Sequence, residues 1–388
     1  MKKKALIIFK YPHEWNEEVI KKLENNYKVE FLYINELKSK YFKGIIDEIN
    51  FLIKSKDIEI TVFDADYYKF INLFFIKEIN SKKKILITQD DLELHELNAV
   101  TASSCDVILS ACPLSVLKYK EKGYDSYYFP PENLKINENN YQKKDYDVIF
   151  FGHLTPDRKE ILDYISNEGI SVKILGNEIG GLRLPRDKFL ETIKKAKIVL
   201  NLSKSRDAKS IRNYSSESIY RFFYQLKGRI WDAGLNGVLC VSEYSPGQEL
   251  LFDNNEIPTF YEKDECVKIL KELLNNEELL SRYKNKFLSK VKILSEKFNN
   301  FETIYQAIER PAKKRFIINK VPYWYLRIVA KQILLRNLKL INLLKAVLQF
   351  KIIFKILKKS NFITKVLVIF ESIINIIWYS IILTFKSK

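Results

Sequence analysis

The chain has 388 residues, 47% hydrophobic and 13% aromatic, which excludes general disorder and exceeds what one core comfortably holds. The formal net charge is +17, yet residues 313–388 hold 16 Lys and Arg against one acid, Glu371, so +15 belongs to that stretch and the rest is nearly neutral. That distribution argues against a nucleic-acid-binding body, whose charge would lie on the folded face. The four cysteines, Cys105, Cys112, Cys240 and Cys266, show no CxxC pair and no His at ligand spacing, so they read as buried apolar residues in a reducing compartment.

Met1-Lys2-Lys3-Lys4 leads into Ala5-Leu6-Ile7-Ile8-Phe9, too short for a secretory h-region and suited to a first strand. Further strands are predicted at Val29–Leu32, Ile58–Phe63, Ile85–Thr88, Val107–Leu109 and Ser126–Phe129, with helices between them, as at Asn16–Leu23 and Tyr67–Ile79. Continuous apolar strands alternating with helices predict a parallel sheet covered on both faces. Pro130-Pro131 and the polar stretch 135–144 break the pattern and mark a linker. A second series follows: Tyr146–Gly152, Val172–Leu175, Ile198–Leu202, Val238–Val241 and Thr259–Tyr261. The expected architecture is α/β, with a doubly wound domain over 1–134, a second over 145–312, and a helical tail over 313–388. Ligands in such folds bind at the carboxyl ends of strands. His13, His95 and His153 each follow a strand, which together suggests a polar cleft.

Three segments of the second domain carry the chemistry. Phe150–Lys159 is strand, glycine turn, proline at a helix start, then cations. Gly152 permits a tight turn, and Arg158 and Lys159 are candidates for an anion; an ordinary βα turn with solvated cations explains the stretch equally well. Ile198–Asp207 runs a buried strand into a polar loop with Ser203 and Arg206, a site or a surface loop. Lys227 and Arg229 stand at the start of a short helical segment, where cations oppose the helix dipole unless an anion is near. A diphosphate between the domains is such an anion, and Arg suits it. Asp232, one turn on, is placed to accept from a ribose hydroxyl, and Gly247 and Gln248 open the next helical turn. A charged helix face with a capped turn accounts for Asp232 or Glu249 singly.

The run Tyr224 to Ala233, continued through Ser242-Glu243-Tyr244-Ser245-Pro246-Gly247-Gln248-Glu249-Leu250, resembles the nucleotide-sugar site of CgeB-like glycosyltransferases, relatives of the family-4 group with the GT-B fold. Gly152, Arg158, Lys159 and the segment Leu200–Arg206 resemble that family's other donor-side segments. The resemblance covers about 145–300 well and the first domain loosely. It departs from the family at Asp232, where Glu is usual, at Tyr224, where the larger group has Glu, and at His153, often Arg. It implies the GT-B fold, two Rossmann-like domains facing a cleft. It implies transfer of a sugar from a nucleotide-diphosphate donor, without cofactor or metal, through donor contacts at Gly152, His153, Arg158, Lys159, Ser203, Arg206, Lys227, Arg229, Asp232, Tyr244, Ser245, Gly247, Gln248 and Glu249. Retention of anomeric configuration is implied by the family-4 kinship alone. Asp64-Ala65-Asp66 is a DxD, a metal motif in another glycosyltransferase fold; two sheets argue against that use here.

On the first domain, Gln89–His95 ends a strand toward the cleft. Asp90, Asp91 or His95 is a candidate to orient or deprotonate an acceptor hydroxyl, with helix capping by either aspartate as the alternative. In the tail, Lys331 to Gln349 places its cations and amides within half a helix circumference, and Tyr323-Trp324-Tyr325 supplies aromatics suited to an interface. The apolar run Val366–Phe385 has the length of a span, but Glu371 and Asn375 favour an in-plane or shallow hairpin helix; a helical pair packed on the protein, or an oligomer interface, is the alternative. The expected setting is the cytoplasmic face of an anionic membrane, with a glycan or lipid-linked acceptor. The rivals are a GT-B epimerase of nucleotide sugars, and a membrane scaffold without activity.

Overall fold

The computed structural model describes residues 2–38, 41–65, 70–130, 134–137, 143–175, 185–204, 224–311, 321–335, 352–358 and 360–386. In the first lobe β1 (Lys4–Phe9), β2 (Lys28–Tyr33), β3 (Ile60–Asp64), β4 (Lys83–Thr88), β5 (Val107–Ser110) and β6 (Ser126–Tyr128) form a six-stranded sheet in the order β2-β1-β3-β4-β5-β6. Every pairing is parallel. The two-residue period of a strand divides the apolar run of β1 between two cores. Leu6 and Ile8 join Phe63, Leu86 and Ile108 on one face. Ala5, Ile7 and Phe9 join Val62, Ile85 and Leu109 on the other.

The second lobe contains β7 (Tyr146–Phe151), β8 (Val172–Leu175), β9 (Ala196–Asn201), β10 (Leu239–Glu243) and β11 (Thr259–Phe260), all parallel, in the order β11-β10-β9-β7-β8. Its core gathers Phe150, Val199, Val241, Ile230 and Trp231 with Phe287 and Val291 of a long helix, Glu277–Asn299. In each lobe the order reverses beside the first strand: β1 lies between β2 and β3, and β7 between β8 and β9. Such reversals open a crevice at the carboxyl ends of the strands.

The chain then returns to the first lobe. The helix Glu302–Glu309 inserts Ile304 and Ile308 beside Ala5 and Ile7. Where the lobes meet, Tyr128 stands edge-on to Phe298 at 4.7 Å, and Asn299 Nδ2 donates to the Leu134 carbonyl at 3.1 Å. Gly247, at φ +91°, lies so close to the first lobe that a Cβ there would meet Leu114 Cβ at 2.9 Å.

The helix Tyr323–Leu335 also belongs to the first lobe. Tyr325, expected at an interface, is fully buried among Phe70, Phe75 and Leu97. Its hydroxyl accepts from the Leu73 amide at 2.9 Å and pairs with Thr101 Oγ1 at 2.8 Å. The expected amphipathic stretch Lys331–Gln349 lies outside the described residues from 336 onward. Removing one hydroxyl that satisfies two buried groups should cost about 1–3 kcal/mol. Tyr325→Phe should therefore lower the urea midpoint of the chain without changing the slope of the transition.

Candidate active site

Three loops meet where β7 and β9 end. After β7, Gly152 takes φ +126°, which L side chains rarely adopt, and a Cβ there would lie 2.2 Å from Arg229 Nη2. Glycine is therefore required twice, for the turn and for the arginine beneath it. Arg229 begins the helix Arg229–Leu235 and reaches back under that turn. Its Nε donates to the Phe151 carbonyl, and its Nη1 to Leu202 O at 3.1 Å and Asn201 Oδ1 at 3.2 Å. Arg158, in the first turn of the helix Pro156–Asn167, donates to His153 O at 2.8 Å, Lys204 O at 2.8 Å and the same Leu202 O at 3.3 Å.

Both guanidinium groups are buried, with 6% of Arg158 and 9% of Arg229 exposed. Burial, then the charge of Arg158, push the Arg229 pKa down to about 9, and Asp232 and Glu243 offset this only in part. Arg229 stays protonated at neutral pH. Its hydrogen bonds all run to neutral oxygens, and among the described residues Nη2 makes none. A desolvated cation of this kind is stabilised by an anion placed beside it. Glu243, at the end of β10, holds the adjacent loop: its Oε2 accepts from the Lys204 amide at 2.9 Å and Ser203 Oγ at 3.3 Å. Burial pushes the Glu243 pKa up.

A cavity of about 120 Å³ lies between the lobes. The first lobe lines it with Gln89, Asp90, Ala111 and Tyr128, and the second with Gln225, Leu226, Lys227, Gly228 and Trp231. Asp90 is left-handed, φ 43° and ψ 35°, a conformation that costs a non-glycine residue about 1–2 kcal/mol. Its carboxylate crosses the gap. Oδ1 accepts from Gln225 Nε2 at 2.7 Å and stands 3.8 Å from Lys227 Nζ, which itself donates to Gln225 Oε1 at 3.1 Å. Trp231 Nε1 donates to Tyr128 OH at 3.3 Å across the same gap.

The other candidates divide. Asp91 is fully buried inside the first lobe, accepting from Thr88 Oγ1 at 2.8 Å, Ser110 Oγ at 2.5 Å, Asn98 Nδ2 at 2.7 Å and Tyr119 OH at 2.9 Å. Four donors make it a pin between β4, β5 and two helices, and it does not line the cavity. His95 is 1% exposed and packs on the Tyr119 ring at 4.5 Å, so it too is away from the gap. Burial, and then Lys118, push its pKa down to about 3. The three histidines do not converge: His13 caps the helix Glu14–Glu24, accepting from the Trp15 amide at 3.5 Å, and His153 is exposed.

On the donor side, Lys159 points to solvent and pairs with Asp163 at 2.6 Å. Ser203 is buried and donates to the Tyr244 carbonyl at 2.7 Å. Tyr244 stacks on Tyr261, with centroids 5.0 Å apart. Gln248 is buried, bridging Ser242 Oγ at 3.2 Å and Thr259 Oγ1 at 2.7 Å. Exposed Glu249 accepts from the Gly247 amide at 3.1 Å. Asp232 is nearly buried, and Ser245 Oγ is buried with no partner among the described residues. Arg206 and Asp66 lie outside the described residues, and among the described ones no group of His, Cys, Asp or Glu is arranged to hold a metal. Gln225, Tyr128 and Trp231 are polar or aromatic cavity residues that the sequence did not single out.

Residues 158–293 match a family model described as glycosyl transferase-like. No curated protein matches the chain. A mutant of T4 phage BGT in complex with UDP-glucose superposes with a TM-score of 0.51 at 13% identity, covering 80% of this chain and 100% of that one. The DNA-modifying enzyme β-glucosyltransferase, studied with and without uridine diphosphoglucose, gives 0.50 at 13% identity, covering 79% and 100%. An α1,3-fucosyltransferase gives 0.46 at 11%, covering 83% and 94%. At these identities the likeness to the first two is one of fold. The chain has the GT-B fold, and the stretch that matches the glycosyl transferase-like model lies in its second lobe.

Burial of neutral His95 has a consequence for stability. Its folded pKa, about 3, is below the ordinary 6.5, so the unfolded chain takes up the proton first as pH falls. The associated stability is complete above about pH 6.5 and is lost on acidification. Between pH 7 and pH 5 the wild type should lose about 2 kcal/mol more than His95→Phe in urea unfolding.

Proposed function

We propose that the protein is a hexosyltransferase that moves a sugar from a nucleotide-diphosphate donor to a glycan or lipid-linked acceptor. The observation that carries this reading is the buried cation pair at the β7/β9 crevice, with Lys227 standing in the interlobe cavity beside it. When the bond between the anomeric carbon and the phosphate oxygen breaks, its electron pair goes to the diphosphate. Fixed cations already facing that oxygen stabilise the growing charge without rearranging. Arg229 Nη2 and Lys227 Nζ are the groups assigned to this contact. They fill the role a divalent ion fills elsewhere, so the reading is metal-independent, and activity in excess chelator checks it.

Asp90 is the acceptor-side group. In this state it is occupied by Gln225 and Lys227. A diphosphate that draws Lys227 toward itself releases the carboxylate, which then takes the proton of the incoming hydroxyl. Asp90 lies on the first-lobe wall of the cavity, with its Oδ1 3.8 Å from Lys227 Nζ. Retention of configuration is proposed on the family-4 kinship alone. We place the protein near the CgeB-like branch on the strength of the run 224–250.

A nucleotide-sugar epimerase would turn over donor alone, and a scaffold would gain no stability from nucleotide. The first experiment is a thermal-shift panel of UDP-, GDP- and dTDP-sugars, headed by UDP-glucose, the ligand of the T4 phage neighbour. One donor should raise the melting temperature by several degrees. Lys227→Met should keep the fold, abolish that shift and lower transfer by about 100-fold or more. Full transfer in Lys227→Met would remove the residue from the site. Arg229→Ala should abolish transfer but also lose stability, because three hydrogen bonds of the crevice go with it.

A further inference from the structure

The helix Phe362–Lys386 packs one face on the first lobe and leaves another uncovered. Val368 and Ser372 are 1% and 3% exposed, seated with Leu326 and Ala330 of the helix Tyr323–Leu335 and with Ile353 and Leu357 of the turn of helix 352–357. On the opposite side Phe362 is 79% exposed, Ile363 68%, Phe370 60% and Ile374 47%. These positions recur at 1, 7 and 4 residues, which places them on one side of a helix at 100° per residue. Phe354, on the neighbouring helix, is 55% exposed. A row of large apolar side chains this open marks a surface that something covers.

The charges around it say what. Glu371, the only acid of residues 313–388, is turned inward: it accepts from Tyr323 OH at 3.1 Å and lies 3.8 Å from Arg327 Nε. Lys331 and Lys358 are exposed, Lys365 is half-buried, and among the described residues none of the three pairs with a carboxylate. Two copies of the chain meeting on this face would bring Lys331, Lys358 and Lys365 of each together with no described acid of the helix left to offset them. An anionic bilayer accepts the same apolar row and neutralises the same cations. No described helix is long and apolar enough to cross a membrane.

We infer that the exposed face of the helix Phe362–Lys386 lies in the plane of an anionic lipid surface. The Tyr323–Leu335 helix joins it rigidly to the lobe that carries Asp90. The first lobe is thereby held at the bilayer, so an acceptor on a lipid carrier reaches the cavity from that side. This last step rests on the proposed function; the docking does not.

The test is co-sedimentation of the full chain with phosphatidylcholine vesicles, with and without phosphatidylglycerol. Binding should be strong to the anionic vesicles and fall with salt. Ile363→Glu with Phe370→Glu should weaken it at least about tenfold while leaving the melting temperature and the donor-induced shift unchanged. Both positions are exposed, so their substitution does not disturb the core. Equal binding to both vesicle types, or unweakened binding by the double variant, would overturn the assignment. So would a dimer in light scattering that the double variant dissociates and that ignores vesicles. Loss of the donor shift with vesicle binding intact would count against the transferase reading alone.

Discussion

Two positive charges buried side by side at the end of one sheet set the terms for the rest of this molecule. Arg158 and Arg229 both donate to the Leu202 carbonyl, and burial together with mutual repulsion lowers the Arg229 pKa to about 9. Proteins rarely carry such a pair without a purpose, because desolvating each charge costs several kcal/mol. Here the cost is borne by backbone carbonyls at the ends of β7 and β9, by Asn201, and by a glycine turn that no other residue can make at this distance. Glu243 fixes the loop between them from below. The proposed diphosphate enters from the interlobe gap, beside Lys227.

The opposite wall follows from the same logic. Asp90 holds a left-handed backbone and directs its carboxylate at Lys227 and Gln225. Strain of this kind persists where neighbours over-determine it. Immediately beyond it, Asp91 is fixed by four donors, so the residue before it has little freedom to relax. The pin and the reaching carboxylate are one device: Asp91 anchors the start of the helix Asp91–Ala102 and Asp90 is projected into the gap. The return of Glu302–Glu309 to the first lobe, and the seat of Gly247 on Leu114, keep the two walls facing each other.

Much of this was legible in the residue order. Unbroken apolar runs such as Leu6-Ile7-Ile8 and Ile198-Val199-Leu200 become strands buried on both faces, and all eleven predicted strands are present within a few residues of their expected bounds. Cations at a helix start, against the dipole, led to Lys227 and Arg229, and the strand-end rule led to Gly152 and Arg158. It could not separate Arg158 from Lys159, because neighbours on a helix point about 100° apart and only tertiary contact decides which turns inward. It grouped Asp90, Asp91 and His95 for the same reason. A polar cluster after a strand looks alike whether it faces ligand or satisfies buried hydroxyls, and Thr88, Ser110 and Tyr119 are too scattered in sequence to betray the Asp91 network. Gln225 carries no charge and Tyr128 is one of 23 tyrosines, so neither announces itself before the lobes are brought together. Tyr325 misled because an amphipathic ring suits a membrane interface and a buried hydroxyl pair equally well.

The central claim is that the cations of the second lobe exist to hold a diphosphate. A crystal structure of the protein with a non-hydrolysable nucleotide-diphosphate sugar tests it directly. The diphosphate should lie at the Gly152 turn, within hydrogen-bond distance of Arg229 Nη2 and Lys227 Nζ, with Asp90 parted from Lys227. A nucleotide bound elsewhere, or a diphosphate that leaves both cations on their present partners, would contradict it.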